Sequence, residues 1–155
     1  MFRYACTADA DALAAIDASV NFNPWTAAGF ATCEGEAGSQ AWALVVEAGG
    51  RIQGFVALSS VLDEVSILSI AIDPQQQRQG LGQSLLQLAL ERARRAGAAK
   101  CLLEVRESNT AARRLYLQNG FVLDGVRKNY YPTVGGREDA LLMSKQLEGT
   151  ANERA

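Results

Sequence analysis

A single carboxylate, Glu104, interrupts the apolar run "CLLEV" (Cys101–Val105). Further on, Asn109 opens the segment "NTAARRLYLQNG". Tyr116 follows it seven residues later, two turns along a helix, so both can face one side. A carboxylate can act as a base and a phenol as an acid. On the residues alone, a solvent-facing strand position is the better reading of Glu104, and Tyr116 could equally anchor its helix as a half-buried aromatic. The chain has no histidine, which excludes a Ser-His-Asp or Cys-His mechanism and a His-ligated metal within it. Proton transfer falls to Glu, Asp, Tyr, Lys, Cys, a terminus or water. Cys6, Cys33 and Cys101 are widely spaced and form no C-x-x-C pair, so neither a zinc site nor a disulfide framework is indicated, no metal is expected, and buried free thiols are.

A second feature is "QQRQGLG" (Gln76–Gly82), between the apolar run "VSILSIAI" (Val65–Ile72), which ends at Asp73–Pro74, and the segment "QSLLQLALERARRAG". A loop between a strand and a helix N-terminus exposes unpaired N–H groups at the positive end of the helix dipole, where phosphate fits. Glycines clear side chains from such amides. Arg78 adds a charge and Ser84 could add a hydroxyl. A dinucleotide fingerprint would need a third glycine where Leu85 stands, and a P-loop would need Gly-Lys-Ser/Thr. By pattern alone, a simple corner and a phosphate cradle are even.

These residues need a scaffold. At 155 residues, 48% hydrophobic and 21% charged, the chain is large enough to bury a real core, and one domain over residues 1–147 is expected, with a disordered tail at 148–155. No stretch approaches the ~20 apolar residues of a membrane span, and no secretory h-region opens the chain, so no membrane association and a cytoplasmic location are expected. A net charge of −2 argues against broad nucleic-acid binding. "ERARR" (Glu91–Arg95) reads as the solvated face of a helix.

Apolar Leu13, Ile16 and Val20 at helical spacing predict a first helix, with Thr7 or Asp9 as N-cap. "NPWT" breaks it, and a short helix from about Thr26 to Cys33 follows. Ala41–Glu47, Ile52–Val61 and Val65–Ile72 predict an antiparallel meander turning at Gly49–Gly50 and Leu62–Glu64. A helix over about Leu81–Ala96, stopped by Gly97, leads to strand Cys101–Val105, and this order implies a parallel crossover. The segment capped by Asn109 or Ser108 ends at Asn119–Gly120, and "FVLDGVRKNYY" and "EDALLMSKQL" read as two closing strands.

"QRQGLG" resembles the Q/R-x-x-G-x-G/A pyrophosphate loop of the GNAT superfamily of acyl-CoA-dependent N-acyltransferases. "IAIDPQQQRQGLG", "LLEVRESNTAARRLYLQNGF", "RKNYYP" and "GREDALLM" resemble, within it, the bacterial ribosomal-protein-alanine N-acetyltransferases, over nearly the whole chain. The resemblance implies an α/β (α+β) fold: a central mixed, mostly antiparallel sheet flanked by helices, splayed in its middle to hold acetyl-CoA. It implies that the backbone of Ile70, Ala71 and Ile72 bonds the acetyl and pantetheine part. Arg78, Gln79, Gly80, Leu81, Gly82 and Gln83 would cradle the pyrophosphate, with Ser84 beside them, and Asn109 would contact the pantetheine arm. Gln83 departs from relatives that carry a basic residue there. Glu104 matches the family's general base and Tyr116 its general acid; apolar flanks would make Glu104 a stronger base.

The implied acceptor is the N-terminal alanine of a small-subunit ribosomal protein. The free amine would attack the thioester directly, and a strand amide such as that of Ile72 would meet the oxyanion. A phenol near 10 is a weaker acid than a thiol near 8.5, so Tyr116 is expected chiefly to hydrogen-bond the leaving sulfur. Trp25, Tyr130 and Tyr131 are candidates for the peptide groove, although Trp25 suits a core or lid role equally. If their segment is extended, Tyr130 and Tyr131 point to opposite faces, so at most one meets a ligand. Glu138 and Asp139 could hold a cationic N-terminus or simply end a hairpin. Another protein N-terminus, a lysine or a small amine remain alternative acceptors, and a non-catalytic acyl-CoA sensor is the alternative of a different class. A monomer is favoured, although the sequence does not give the oligomeric state.

Overall fold

The computed structural model describes residues 1–21 and 23–147. Its seven strands form one sheet, in the spatial order β1 (Phe2–Tyr4), β2 (Ala41–Ala48), β3 (Arg51–Val61), β4 (Glu64–Ile72), β5 (Lys100–Arg106), β7 (Gly136–Gln146) and β6 (Val122–Thr133). Among these strands, over the described residues, only β4 and β5 pair in parallel. The meander β2–β3–β4 and the parallel crossover are as the sequence predicts. β1 is not: three residues on a sheet edge leave no periodic pattern to read. Gly49 and Gly50, at φ 59° and 76°, make the left-handed hairpin turn.

Among the described residues, four α-helices flank the sheet: α1 (Ala10–Val20), α2 (Ala27–Ala31), α3 (Leu81–Arg95) and α4 (Thr110–Gln118). Leu13 and Ile16 of α1 and Phe30 of α2 pack on Ala43, Val45 and Phe55 on one face. Leu85, Leu86 and Ala89 of α3 and Tyr116 of α4 pack on Val56, Leu58 and Leu103 on the other. Thr26 caps α2, which is shorter than expected, and Asn109 caps α4. Asp9 stands before α1, yet its carboxylate caps nothing there; it binds the Cys6 N–H at 2.9 Å and the Arg3 guanidinium at 2.8 and 3.0 Å. Cys33 and Cys101 are buried, but Cys6 is exposed, because it lies in the turn between β1 and α1. The expected tail disorder falls outside the described residues.

Two of the register irregularities bear on the site. Ile67 pairs with Leu58 and Ser69 with Ala57, so Leu68 is an extra residue, a bulge in β4. At the same place the pairing of β4 with β5 stops, its last partners being Ile67 and Leu103. Beyond it, the β5 side of β4 has no strand partner among the described residues. In β6 the register breaks between Arg127 and Tyr131, with Asn129 at φ 52°.

Candidate active site

The glycine loop is built by short-range bonds. The Asp73 carboxylate accepts the Gln75 N–H at 3.0 Å, and Gln77 Nε2 donates to the Ile72 carbonyl at 3.1 Å, folding the loop onto the end of β4. Arg78 at φ 68° and Gly80 at φ 79° are both left-handed and swing the chain into α3. The strained, non-glycine Arg78 marks a loop held in shape by its surroundings. The Ser84 N–H already bonds the Gly80 carbonyl at 3.1 Å. The amides before it, at Leu81, Gly82 and Gln83, stand in the first turn of α3, where a helix has no acceptor of its own to offer them. Arg78, Gly80, Leu81, Gly82, Asn109 and the β4 residues Ile70, Ala71 and Ile72 line one cleft of about 400 Å³. Gln79, Gln83 and Ser84 do not line it. The Gln79 side chain donates to Gln76 at 3.2 Å, and Gln83 accepts from Asn119 at 3.0 Å, bracing α3 against α4.

A second cleft, of about 470 Å³, adjoins the first and shares Val20, Asn21, Ile70, Asn109 and Ala112 with it. Glu104, Tyr116, Trp25 and Tyr131 line it. Alternation along β5 turns Cys101, Leu103 and Val105 into the core on the α3 side and Glu104 to the other face. Tyr116 comes from the α4 side. Both line one cleft, at the place where β4 and β5 have parted. Apolar flanks therefore do not press on the Glu104 carboxylate, contrary to expectation, since side chains adjacent in a strand occupy opposite faces. Its neighbours are polar: Tyr131 Oη donates to Oε2 at 2.9 Å, and Arg127 Nε stands 3.7 Å from Oε1.

Burial first, and then the bond to Glu104, push the Tyr131 phenol above its ordinary value. The Arg106 guanidinium lies over the Tyr131 ring, 4.3 Å from its centroid, and donates to Glu138 at 3.1 Å. Glu138 also accepts the Ser108 N–H at 2.8 Å and its hydroxyl at 3.0 Å; the amide foremost holds this carboxyl below its usual range. Asp139 accepts the Asn129 N–H at 2.9 Å. Both acidic residues thus bind within the β6–β7 hairpin and its neighbours, and neither lines the cleft. Tyr130 does not line it either. Its ring packs edge-on against Tyr131 at 5.2 Å instead of pointing to the opposite face, because the break in β6 register removes the alternation of an extended strand.

Tyr116 is 5% exposed and packs on Phe121. Burial, with a smaller contribution from the nearby Cys101, pushes its phenol well above the ordinary value. Trp25 is half-exposed, its ring edge-on to Phe30 at 5.4 Å. The sequence reading passed over Asp17, Asn21 and Ser69, which also line this cleft. A signal existed: Asp17 lies one helical turn after Leu13, on the buried stripe of α1.

The chain resembles known proteins over most of its length. Residues 10–121 match the sequence model of the Acetyltransferase (GNAT) family. The ribosomal protein bS18-alanine N-acetyltransferase of Escherichia coli strain K12 is 39% identical over 138 residues, 89% of this chain and 91% of that protein. Its Haemophilus influenzae counterpart is 37% identical over 140 residues, 90% and 93% of the two chains. The crystal structure of the ribosomal-protein-S18-alanine N-acetyltransferase from Escherichia coli superposes with a TM-score of 0.85 at 36% identity, over 97% of this chain and 96% of that one. A Salmonella typhimurium acetyltransferase solved with acetyl-CoA shares the fold, with a TM-score of 0.80 at 22% identity, over 96% of this chain and 94% of that one.

Proposed function

Because the chain belongs to the Acetyltransferase (GNAT) family, we propose that it acetylates the N-terminal α-amine of a protein in the cytoplasm, with acetyl-CoA as donor and the N-terminal alanine of ribosomal protein bS18 as acceptor. The names of the full-length relatives support the acceptor. The observation that carries the chemistry is the split between β4 and β5, which brings Glu104 and Tyr116 from opposite faces of the sheet to one cleft.

The residues fit an acyl-CoA. A side chain at Gly82 would start 3.7 Å from Leu115 and 3.9 Å from Ile72, within the first cleft, and glycine leaves that space free. The first-turn amides of Leu81, Gly82 and Gln83, with the Arg78 guanidinium, suit a pyrophosphate. The unpaired side of Ile70–Ile72 offers backbone groups to an amide-bearing arm, and Asn109 stands where the two clefts join. When bound there, acetyl-CoA supplies the acetyl thioester.

Glu104 takes a proton from the acceptor, directly or through a water. Tyr131 holds Oε2 and so fixes the direction in which Oε1 is offered. The task is modest: an α-amine near pKa 8 is about a tenth neutral at pH 7, whereas a lysine amine near 10.4 is well under a hundredth neutral. Tyr116, made a weaker acid by burial, donates a hydrogen bond to the leaving sulfur and keeps its proton.

The test is acetyl transfer to three peptides: one beginning with a free alanine, its N-terminally blocked twin, and one whose sole amine is a lysine side chain. Transfer to the free alanine alone is expected. Equal activity on the blocked peptide defeats the α-amine reading, and binding of acetyl-CoA without transfer to any of the three defeats the alanine acceptor and favours another amine or a sensor.

A further inference from the structure

Asp17 is 2% exposed, on a helix stripe otherwise built of Leu13 and Ile16. A carboxylate in such a place is stable only if its oxygens are well supplied with donors. Three reach it. Oδ1 accepts from the Asn21 side-chain amide and, at 3.0 Å, from the Ser69 hydroxyl. Oδ2 accepts the backbone N–H of Trp25 at 2.8 Å. Each donor comes from a different part of the cleft. Ser69 follows the bulge at Leu68, where β4 leaves β5. Asn21 lines both clefts and Trp25 lines the second. The Trp25 ring otherwise rests on the edge-to-face chain Phe30–Phe55, with centroids 5.4 and 5.1 Å apart.

We infer that Asp17 is a positioning residue of the acceptor cleft: its buried carboxylate ties Asn21 and Trp25 to the parted strand β4 and so holds the Trp25 ring as the wall against which the acceptor binds. The inference rests on the acyl-transfer reading for its consequence but not for its geometry. What matters is the hydrogen bonding, not the charge. In Asp17→Asn the carboxamide oxygen can keep the Trp25 N–H, while its NH₂ donates to a flipped Asn21 amide and a rotated Ser69 hydroxyl. Asp17→Ala removes all three bonds.

Tryptophan fluorescence reads the wall without turnover. Trp42 is fully buried and Trp25 is 36% exposed, so acrylamide quenching reports chiefly on Trp25. In the wild type, a peptide beginning with alanine is expected to reduce quenching. Asp17→Ala is expected to increase quenching of the free protein and to raise the peptide KM about fivefold or more, with the acetyl-CoA KM changed by less than about twofold. Asp17→Asn should stay near the wild type in all three. Ser69→Ala, which removes one donor, should lie between, and it decides the matter if Asp17→Ala does not fold. Unchanged quenching and peptide KM, an equal rise of both KM values, or an Asn variant as impaired as the Ala variant each overturns the inference. A wild type that fails to acetylate the alanine peptide sinks the acyl-transfer reading instead, and quenching of the variants still decides whether Asp17 holds Trp25.

Discussion

Inside the cleft, Tyr116 has lost the water that would stabilise a phenolate, and its hydroxyl stays protonated well beyond neutral pH. Since the folded value lies above the ordinary 10, Tyr116 remains a donor up to and beyond pH 10. Removing the hydroxyl should act on the rate and spare binding. Tyr116→Phe is expected to lower kcat about 10- to 100-fold while the acetyl-CoA KM changes by less than about twofold. Steady-state kinetics from pH 7 to 10 should show no loss of wild-type kcat that disappears in the Phe variant. An unchanged kcat at pH 7 would remove Tyr116 from the chemistry. In the same cleft the Tyr131 hydroxyl is spent on Glu104, so the two tyrosines have different partners, the Glu104 carboxylate for Tyr131 and the leaving sulfur for Tyr116.

Among the elements, the loop into α3 does most with least. Gly80 has open space where a side chain would begin, so its constraint is φ 79° alone. An alanine there costs about 1–2 kcal/mol in that conformation, or twists the loop to escape it. Either way the amides of Leu81, Gly82 and Gln83 lose their common direction. Gly80→Ala is expected to raise the KM for acetyl-CoA about tenfold and to leave the KM for the acceptor peptide within about twofold. Isothermal titration with CoA checks the same point without catalysis; undiminished CoA affinity would mean the loop is only a corner. β4 contributes through its bulge, which ends pairing with β5 and leaves one side of the strand for a ligand.

Across the whole molecule, stability depends on tying the edge strand β1 and the entry to α1 to the sheet. Arg3 does so, bonding Asp9 twice and Glu47 at 3.0 Å. The Arg3 guanidinium holds the Asp9 carboxyl below its ordinary value of 3.8. A depressed folded value means that this stabilisation is complete above the unfolded value and is lost as pH falls through the folded one. Asp9→Asn should therefore lower unfolding free energy by about 1–2 kcal/mol at pH 7, and the difference from wild type should shrink progressively below pH ~4. Urea unfolding at both pH values measures it, and a difference independent of pH would assign the loss to packing.

The sequence alone determined what local pattern encodes. The left-handed Gly80, the N-cap Asn109, the stop at Gly97 and the alternating and helical runs all act over a few residues, so the helices, most strands and the glycine loop were legible in it. So was the pairing of Asn109 with Tyr116, set by helical periodicity. Only the tertiary structure decided where Glu104 points, why Tyr130 lies beside Tyr131, and that Asp17 belongs to the cleft. Each depends on register between strands or on donors brought from elsewhere: the bulge at Leu68, the break after Arg127, and the bonds from Ser69 and Trp25 to Asp17. Sheet register is set by pairing across the fold, and a shift of one residue reverses the face a side chain occupies. No local run of residues carries register, although helical spacing already put Asp17 on the buried stripe of α1 and alternation put Glu104 opposite Leu103 and Val105.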